Sequence, residues 1–319
     1  MNVQNENLDK LTNTEEVLRY LLDSEQHKTQ DIRSIFEKCF EVYQEDVFDK
    51  GAPAKDTFLK MFTEHVILPN KHKIPTLFRY SSADYFNIRN LETETLTLSS
   101  THNMNDVFEG LSGFANDLAV NELDELKDIA FIKCFSENKN DLLMWSHYGD
   151  SYKGMCVEYD FSKLSDDILF HLFPVMYSNK RYPITTLSQA VNHLYEVKKA
   201  NKEKYYPDLY ESLMDIMSMF LKKPECWQYE AEWRIIATYA QIYNAATDFD
   251  GEIENAVLYN INDKIFSVKD CIKAVYLGPK IPQVQKNHII DIVSSKSNVK
   301  LFELILSDSE YNLQEQPIR

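Results

Sequence analysis

The 319-residue sequence contains few of the residues that mark the commonest kinds of site. Its seven glycines form neither GxGxxG nor GxxxxGKS/T, which disfavours the usual glycine-loop sites for dinucleotides and nucleotides. The five cysteines include no CxxC pair and there is no HExxH, so neither a metal site nor a disulfide framework is predicted. No apolar run approaches the roughly 18 residues of a membrane helix, and residues 1–10 lack a secretory signal pattern. These absences predict a cytoplasmic protein without membrane contact.

Basic residues are scarce relative to acidic ones. Lys and Arg total 34 against 50 for Asp and Glu, which gives a net charge of −16. Proteins that bind duplex DNA tightly neutralise its phosphates with a basic patch, and the sequence contains no such patch. Avid binding of duplex DNA is therefore not expected, although local basic pockets for other anions are compatible with this charge.

The first 72 residues show the spacing of amphipathic helices. Apolar residues recur every three or four positions around Val17 and Ile35. The polar stretch 69–75 begins and ends with proline, as linkers often do. We therefore predict an N-terminal helical region over 1–72 and a larger domain over 73–319. The helices either pack on that domain, which is the simpler interpretation, or bind a partner protein.

Short apolar runs after residue 75 predict a sheet. The predicted strands are 76–81, 93–100, 129–135, 155–159, 174–177, 233–239, 272–277 and 299–306. The predicted helices are 116–128, 142–148, 282–293 and an insertion over 187–222. The connections between strands differ in length and lack regular βαβ repetition, so the pattern predicts an α+β fold with a mixed or antiparallel sheet.

The densest group of chemistry-bearing residues surrounds the predicted helix 142–148. Ser136 ends the strand before it, and the helix carries Trp145, His147 and Tyr148. Aromatic rings with hydrogen-bonding tips can stack on a planar ligand, so this group predicts a pocket. In the alternative interpretation Trp145 is core and His147 bonds a neighbouring carbonyl. Cys134 lies in an apolar pattern and is predicted to be an inert thiol.

Two glutamates flanked by tryptophans form a second candidate group. Glu230 and Glu232 are two residues apart, so they share one face if the segment is extended. Paired carboxylates suit acid–base chemistry or the stabilisation of a cationic transition state. Trp227 and Trp233 predict partial burial of the pair and a perturbed pKa. The simpler alternative is a strand edge on which Glu232 is paired with a lysine or arginine.

Two more groups lie at predicted strand ends. Ser99 ends one strand, and Asn105 and Asp106 follow in a turn, where they either bind a ligand or cap a helix. The other strand end carries Arg79, Tyr80 and Ser81. An arginine there can bind a phosphate or carboxylate through its bidentate fork, or form an ordinary surface ion pair.

These groups, in this order, resemble the bacterial DUF2971 family over roughly residues 76–280. The matching segments are 78–80, 104–109, 134–137, 144–149, 153–160 and 227–234. The sequence departs from the family pattern at Met104 and Val107, where phenylalanine and proline are usual. The N-terminal helices lie outside the resemblance, and the family name by itself implies no activity.

The order of an arginine, a strand-end serine and a Glu-x-Glu segment is also similar to the layout of ADP-ribosyltransferases. This resemblance implies a fold like theirs and NAD as a substrate, whose N-glycosidic bond is cleaved so that ADP-ribose passes to a macromolecule or to water. It implies that Glu232 is the catalytic glutamate, Glu230 the auxiliary one, and Arg79 a contact of the NAD phosphates. Ser136, or Ser99 in its place, would support the pocket.

The remaining implications concern the other NAD contacts and the partners. Tyr80, Trp145 and Tyr148 would stack on nicotinamide or adenine. Ser81, Asn105, Asp106 and His147 complete the expected NAD-binding residues. Such activities often belong to toxins and anti-phage defence effectors, so the N-terminal helices would bind an antitoxin or regulatory protein.

Two alternatives to an NAD-cleaving enzyme stay open. One is another nucleotide- or nucleic-acid-processing enzyme that uses His147, Asp106 and Glu232. The other is a non-catalytic interaction protein in which the aromatic clusters are core.

Overall fold

The computed structural model describes most of the chain in separate stretches. These are residues 8, 11–27, 30–50, 57–101, 104–114, 127, 130–183, 218–238 and 264–318. The predicted helix 116–128 lies outside the described residues except for residue 127, and so does the part of the predicted insertion over 187–217.

The described chain alternates helices with mostly short strands. The helices are α1 Thr14–Leu22, α2 Ser24–His27, α3 Ile32–Lys50, α4 Thr57–Phe62, α5 Tyr85–Thr93, α6 Leu142–His147, α7 Asp166–Leu169 and α8 Gln283–Ser294. The strands are β1 Leu77–Ser81, β2 Thr95–Thr97, β3 Ser99–Ser100, β4 Gly113–Phe114, β5 Ala130–Ser136, β6 Met155–Tyr159, β7 Leu172–Pro174, β8 Met176–Tyr177, β9 Tyr182–Pro183, β10 Lys222–Lys223, β11 Glu232–Thr238, β12 Ile265–Ser267, β13 Ile272–Leu277, β14 Lys300–Leu306 and β15 Leu313–Pro317. A π-helical turn at Thr63–Ile67 extends α4, and 3-10 turns occupy Lys71–Lys73, Phe161–Lys163 and Glu225–Glu230.

One nine-stranded sheet organises these elements. Its order is β15-β14-β13-β6-β1-β5-β11-β7, with β3 also paired to β5. Within the sheet, β13 and β14 run parallel, whereas every other described pairing is antiparallel. The predicted α+β class with a mixed sheet is confirmed at this level.

The predicted strand over 93–100 is wrong as a single element. Thr93 ends α5, whose first turn is capped by Asp84 accepting from the Asn87 backbone N–H. The following residues form two short strands with different partners, β2 on β12 and β3 on β5. Alternating polar and apolar residues suit any half-buried strand, so the pattern cannot show that the partner changes at Leu98.

The sheet opens between β1 and β5. These strands pair only at Phe78 and Ser136, while β3 pairs with the other end of β5, at Phe131 and Ile132. Residues 133–135 of β5 therefore have no described strand partner on the side away from β11. The opening exposes side chains from both faces of β5 to one space.

The N-terminal helices share an apolar core with the sheet. Phe36 of α3 packs against Phe40 and Phe62, and its ring centroid lies 6.3 Å from that of Phe173 on β7. All four are among the buried residues of one continuous cluster that also includes β5 and β11 side chains. The simpler interpretation of this region, packing on the main domain, agrees with the described contacts.

A tight connection joins α6 to β6. Asp150, Ser151 and Tyr152 all have φ between 48° and 71°, in the left-handed region that favours glycine. The turn ends at Gly154, where a Cβ atom would lie 2.0 Å from the carbonyl oxygen of Ser81 at the end of β1. Only glycine allows the two chain segments to approach this closely.

Replacing Gly154 should therefore destabilise the fold. Because a backbone carbonyl of the central strand cannot move aside cheaply, we expect Gly154→Ala to lower the free energy of unfolding by about 1–3 kcal/mol or more. Urea denaturation measures this loss. The control is Val284→Ala on α8, whose side chain is 79% exposed and whose loss should be close to neutral. Equal stability of the two variants would contradict the close approach.

Candidate functional site

A cleft of about 460 Å³ lies at the opening between β1 and β5. This is within the range of small-molecule and cofactor pockets. It is lined by residues of β1, β3, β5, α6, β10 and β11 and of the segments 104–109 and 225–230: Phe78, Arg79, Tyr80, Ser99, Ser100, Met104, Asn105, Asp106, Glu109, Ile132, Lys133, Cys134, Phe135, Ser136, Met144, His147, Tyr148, Lys223, Glu230 and Glu232.

The structure brings ten of the twelve predicted site residues to this cleft. The two that do not line it are Ser81 and Trp145. Ser81 is buried at the end of β1, opposite Met155. Trp145 is fully buried and packs edge-on against Tyr80, so the structure places it in the core beneath the cleft. The functional roles expected of the ten lining residues remain predictions.

The two glutamates meet in the cleft for a different reason from the one predicted. Glu230 ends a 3-10 turn, Ala231 has a left-handed φ of 41°, and Glu232 begins β11. The segment 230–232 is therefore not extended, and the condition under which the two side chains would share a strand face is not met. A shared cation joins the side chains instead: Lys223 Nζ lies 2.5 Å from Glu230 Oε2 and 3.1 Å from Glu232 Oε2.

A second buried cation extends this network. Arg234 follows Glu232 on the same face of β11 and binds it through Nε at 2.8 Å and a terminal nitrogen at 3.0 Å. The other side of the guanidinium binds Glu109, at 2.5 and 2.9 Å. Fully ionised, the network holds one more negative charge than positive, with all five side chains buried.

Burial and neighbouring charges shift the pKa values of the two glutamates in opposite directions. Burial and the charge of Glu232 raise the pKa of Glu230. Burial alone would also raise the pKa of Glu232, but Arg234 and Lys223 outweigh it and hold the pKa of Glu232 well below its usual range. Glu232 is therefore the permanent carboxylate at neutral pH, and Glu230 is the member that exchanges a proton.

Neighbouring polar groups fix Glu230 in place. The Tyr148 hydroxyl donates to Glu230 Oε1 at 2.5 Å, and the Ser136 hydroxyl donates to the Glu230 carbonyl at 2.5 Å. Exposed His147 lies 2.9 Å from the hydroxyl of Tyr229, beside this carboxylate in the chain. Ser136, Tyr148 and His147, predicted as pocket residues, thus have a structural connection to the carboxylate pair.

An arginine from the N-terminal region holds the backbone of Glu232. Arg33 on α3 donates to the Glu232 carbonyl at 2.8 Å and to the Val175 carbonyl at 2.8 Å. It also binds Glu137 at 2.7 Å, and Glu137 accepts from the Trp233 indole at 2.6 Å. The helices that lie outside the sequence resemblance therefore support the position of the candidate catalytic residue.

Two other residues of the cleft differ in chemical capacity. Burial and the nearby charge of Glu232 raise the pKa of the Cys134 thiol well above its usual range, so this cysteine is a poor nucleophile at neutral pH. Asp106 accepts from the Phe108 backbone N–H through Oδ1, while its buried Oδ2 has no hydrogen-bond partner in the described part of the chain. That oxygen can accept a hydrogen bond from a hydroxyl or amide group of a ligand.

Sequence reasoning missed four charged residues of the cleft or the network: Glu109, Lys133, Lys223 and Arg234. Arg234 alone had a local signal, because alternation places it on the same face as Glu232 when β11 is extended. Glu109 and Lys133 come from distant parts of the chain. Lys223 lies seven residues before Glu230, but no single regular strand or helix carries it together with the glutamates. The simpler alternative was a solvated strand edge on which Glu232 is paired with a lysine or arginine. The pairing agrees with the contacts, whereas the solvated edge does not, because Glu232 is buried on a strand between β5 and β7.

Comparison with known proteins finds similarity over one segment to a family of unknown function. Residues 144–235 match the model of the DUF2971 family, described as a protein of unknown function. Over this segment, which is less than half of the chain, the sequence is similar to the DUF2971 family. The matched segment includes α6, β6, Glu230, Glu232 and Arg234. No curated protein and no solved structure matches the chain.

The described residues show neither a metal-binding group nor a membrane-spanning helix. They contain no group of three or more histidine, cysteine, aspartate or glutamate side chains arranged to hold a metal ion. Within the same ranges, no helix combines the length and apolarity needed to cross a bilayer.

The buried network leads to a stability prediction. We expect Arg234→Met to cost about 3–5 kcal/mol of unfolding free energy, because Glu109 would stay buried without its described cation and Glu232 would keep only Lys223. Urea denaturation is the measurement. Lys273→Met is the control, since Lys273 is half-exposed and 3.7 Å from Asp160, so its loss should cost less than about 1 kcal/mol. Similar small losses in both variants would show that the network is not stabilising the fold.

Proposed function

We propose that this protein cleaves the N-glycosidic bond of NAD and passes ADP-ribose to a macromolecule or to water. The observation that carries the proposal is the pairing of two carboxylates of opposite protonation tendency on one lysine inside a cleft. Glycosidic cleavage needs both functions, a fixed negative charge and a base.

The permanent carboxylate suits the bond-breaking step. When the bond from ribose to nicotinamide breaks, the nicotinamide leaves with the bonding electron pair and becomes neutral. Positive charge then develops on the ribose ring. Glu232, held ionised by Arg234 and Lys223, would stabilise that charge, and its partners already fix its orientation.

The second carboxylate suits the transfer step. A water molecule or an acceptor group adds to the ribose carbon, and its proton must be removed. Glu230 has a raised pKa and lines the cleft, so in its ionised form it would take that proton. Asp106 Oδ2 would accept a hydrogen bond from a ribose hydroxyl, and Arg79 would contact the phosphates of NAD.

The finer parts of the proposal rest on the sequence resemblance alone. They are an ADP-ribosyltransferase-like fold, a macromolecular acceptor, a role as a toxin or anti-phage effector, and regulation through the N-terminal helices.

The first test is nicotinamide release by the purified protein. We expect Glu232→Gln to lower the rate on the order of 100-fold or more, because the fixed negative charge is lost. Glu303→Gln, which changes a carboxylate paired with Lys286 outside the cleft, should keep full activity. Dependence of the rate on added cell lysate distinguishes transfer from hydrolysis.

Thermal unfolding of each variant checks that the fold survives. No nicotinamide release by well-folded wild-type protein, with or without lysate, would reject the proposal. A metal-dependent reaction on nucleotides or nucleic acid would then favour the alternative enzyme. Full activity in Glu232→Gln would reject the role assigned to the carboxylate pair.

A second prediction concerns pH. If Glu230 is the base, the rate rises with pH as Glu230 loses its proton. The Tyr148 hydroxyl donates to Glu230 and so lowers its pKa. Tyr148→Phe should therefore move this limb of the pH–rate profile to higher pH, by up to about one unit.

Tyr276→Phe is the matched control for that shift. The Tyr276 hydroxyl donates to Glu158 at 2.5 Å but does not line the cleft. Its profile should coincide with that of the wild type. A shift to lower pH in Tyr148→Phe would contradict the base role of Glu230.

A further inference from the structure

The opening between β1 and β5 also holds two cations. Arg79 on β1 and Lys133 on β5 both line the cleft. Alternation along β5 places Lys133 on the face of Phe131 and Phe135, opposite to the face of Cys134 and Ser136. The cations therefore border the cleft at a place distinct from the carboxylate network.

Neither cation has a carboxylate partner within the described residues. Arg79 makes one hydrogen bond there, a long one of 3.4 Å to Asn87 Oδ1. Buried Lys133 has no hydrogen bond or ion pair in the same ranges. By contrast, Lys223 and Arg234 in the same cleft region are each bound to two carboxylates.

Lys133 is buried and Arg79 is partly buried. Two such cations side by side without counter-charge are costly unless a ligand supplies the negative charge. The missing counter-charge agrees with the direction in which the pKa values of both groups are shifted. Burial, followed by the charge of Arg79, lowers the pKa of Lys133 to about 7. Burial also lowers the pKa of Arg79.

We propose that Arg79 and Lys133 form an anion subsite that binds a phosphate group of the ligand, with Lys133 taking up a proton as the anion binds. In the proposed NAD reaction, on which this identification of the phosphate rests, the subsite holds the pyrophosphate while the ribose carbon lies at Glu232. The proton uptake is a property of Lys133 that the sequence resemblance does not imply.

Other titratable groups border the same cleft, and their effects on the pH dependence of binding must be distinguished from that of Lys133. They are Arg79 and Tyr80 on β1, Cys134 on β5, Glu232 on β11 with its partner Arg234, Lys223 on β10, Glu230 before β11, Asp106 and Glu109 of the segment 104–109, and His147 and Tyr148 at α6. Glu230 is the main competitor, because its ionisation would also weaken anion binding as pH rises.

The first experiment uses pyridoxal 5′-phosphate, which carries both a phosphate and an aldehyde. The neutral Lys133 amine condenses with the aldehyde to an imine and releases water. Borohydride then adds hydride to the imine carbon, a proton from water adds to the nitrogen, and the resulting secondary amine is stable. Peptide mapping should find the label on Lys133, and inorganic pyrophosphate should protect it.

Lys222 provides the matched control. It is also a buried lysine whose pKa is lowered, to about 8, but it lies over the Tyr182 ring and does not line the cleft. Lys133→Met should abolish the pyrophosphate-protected label, and Lys222→Met should keep it. Absence of protected labelling at Lys133 in folded wild-type protein would overturn the proposal.

The second experiment measures the binding of ADP-ribose as a function of pH by titration calorimetry. Wild-type affinity should fall as pH rises above about 7, because Lys133 must then be protonated at the cost of binding energy. Lys133→Met should bind about 10-fold or more weakly at pH 6 and lose this slope.

Two variants distinguish the titration of Lys133 from that of the neighbouring groups. Lys133→Arg, which is charged at every pH tested, should restore binding at high pH without the slope. Glu230→Gln should keep the slope. A slope that survives Lys133→Met and disappears in Glu230→Gln would overturn the proton uptake at Lys133.

The subsite and the proposed reaction can fail separately. Protected labelling of Lys133 without nicotinamide release by the wild type would support the anion subsite and reject NAD cleavage. Nicotinamide release with an unchanged KM for NAD in Lys133→Met would support NAD cleavage and reject the subsite.

Discussion

Arg234 has no contact with solvent, so its guanidinium depends entirely on protein groups for counter-charge. Glu109 and Glu232 supply that charge from opposite sides, and Glu232 in turn holds Lys223. Removing a charge from water is expensive, and an incomplete network is worse than an apolar core. The positions of β10, β11 and the segment around Glu109 are therefore linked, because each must deliver its charged side chain to one buried place.

This network also determines what the two glutamates can do. An isolated buried carboxylate would take up a proton, and two adjacent ones would share it. Here the cations are not shared equally, because Arg234 binds Glu232 bidentately and does not reach Glu230 in the described contacts. The asymmetry of the cations, rather than the Glu-x-Glu spacing, is what makes one carboxylate permanent and leaves the other able to exchange a proton.

The sequence predicted those features that depend on neighbouring residues. The strands 155–159 and 272–277 were predicted with their observed bounds because buried apolar runs between turns are local signals. Ten residues that line the cleft could be proposed from the sequence, because polar groups at strand ends and aromatic clusters are local features. Lys133 and Lys223 did not stand out, since a lysine in an apolar strand or a Lys-Lys pair has an ordinary appearance. Their importance comes from burial, and for Lys223 from the carboxylates that the fold places against it.

The opening of the sheet brings these separate features to one space. A fully paired β1 and β5 would place Lys133 and Glu232 on opposite faces, out of reach of a common molecule. In the structure β1 pairs with β5 at a single residue pair, and β3 pairs with the other end of β5. Side chains from both faces of β5 therefore border the same space. A ligand in that space meets surplus negative charge at the network and uncompensated positive charge at Arg79 and Lys133. A molecule with a cationic ring on one side of a ribose and phosphates on the other, as NAD has, matches this polarity, whereas a uniformly charged ligand would be repelled at one of its ends.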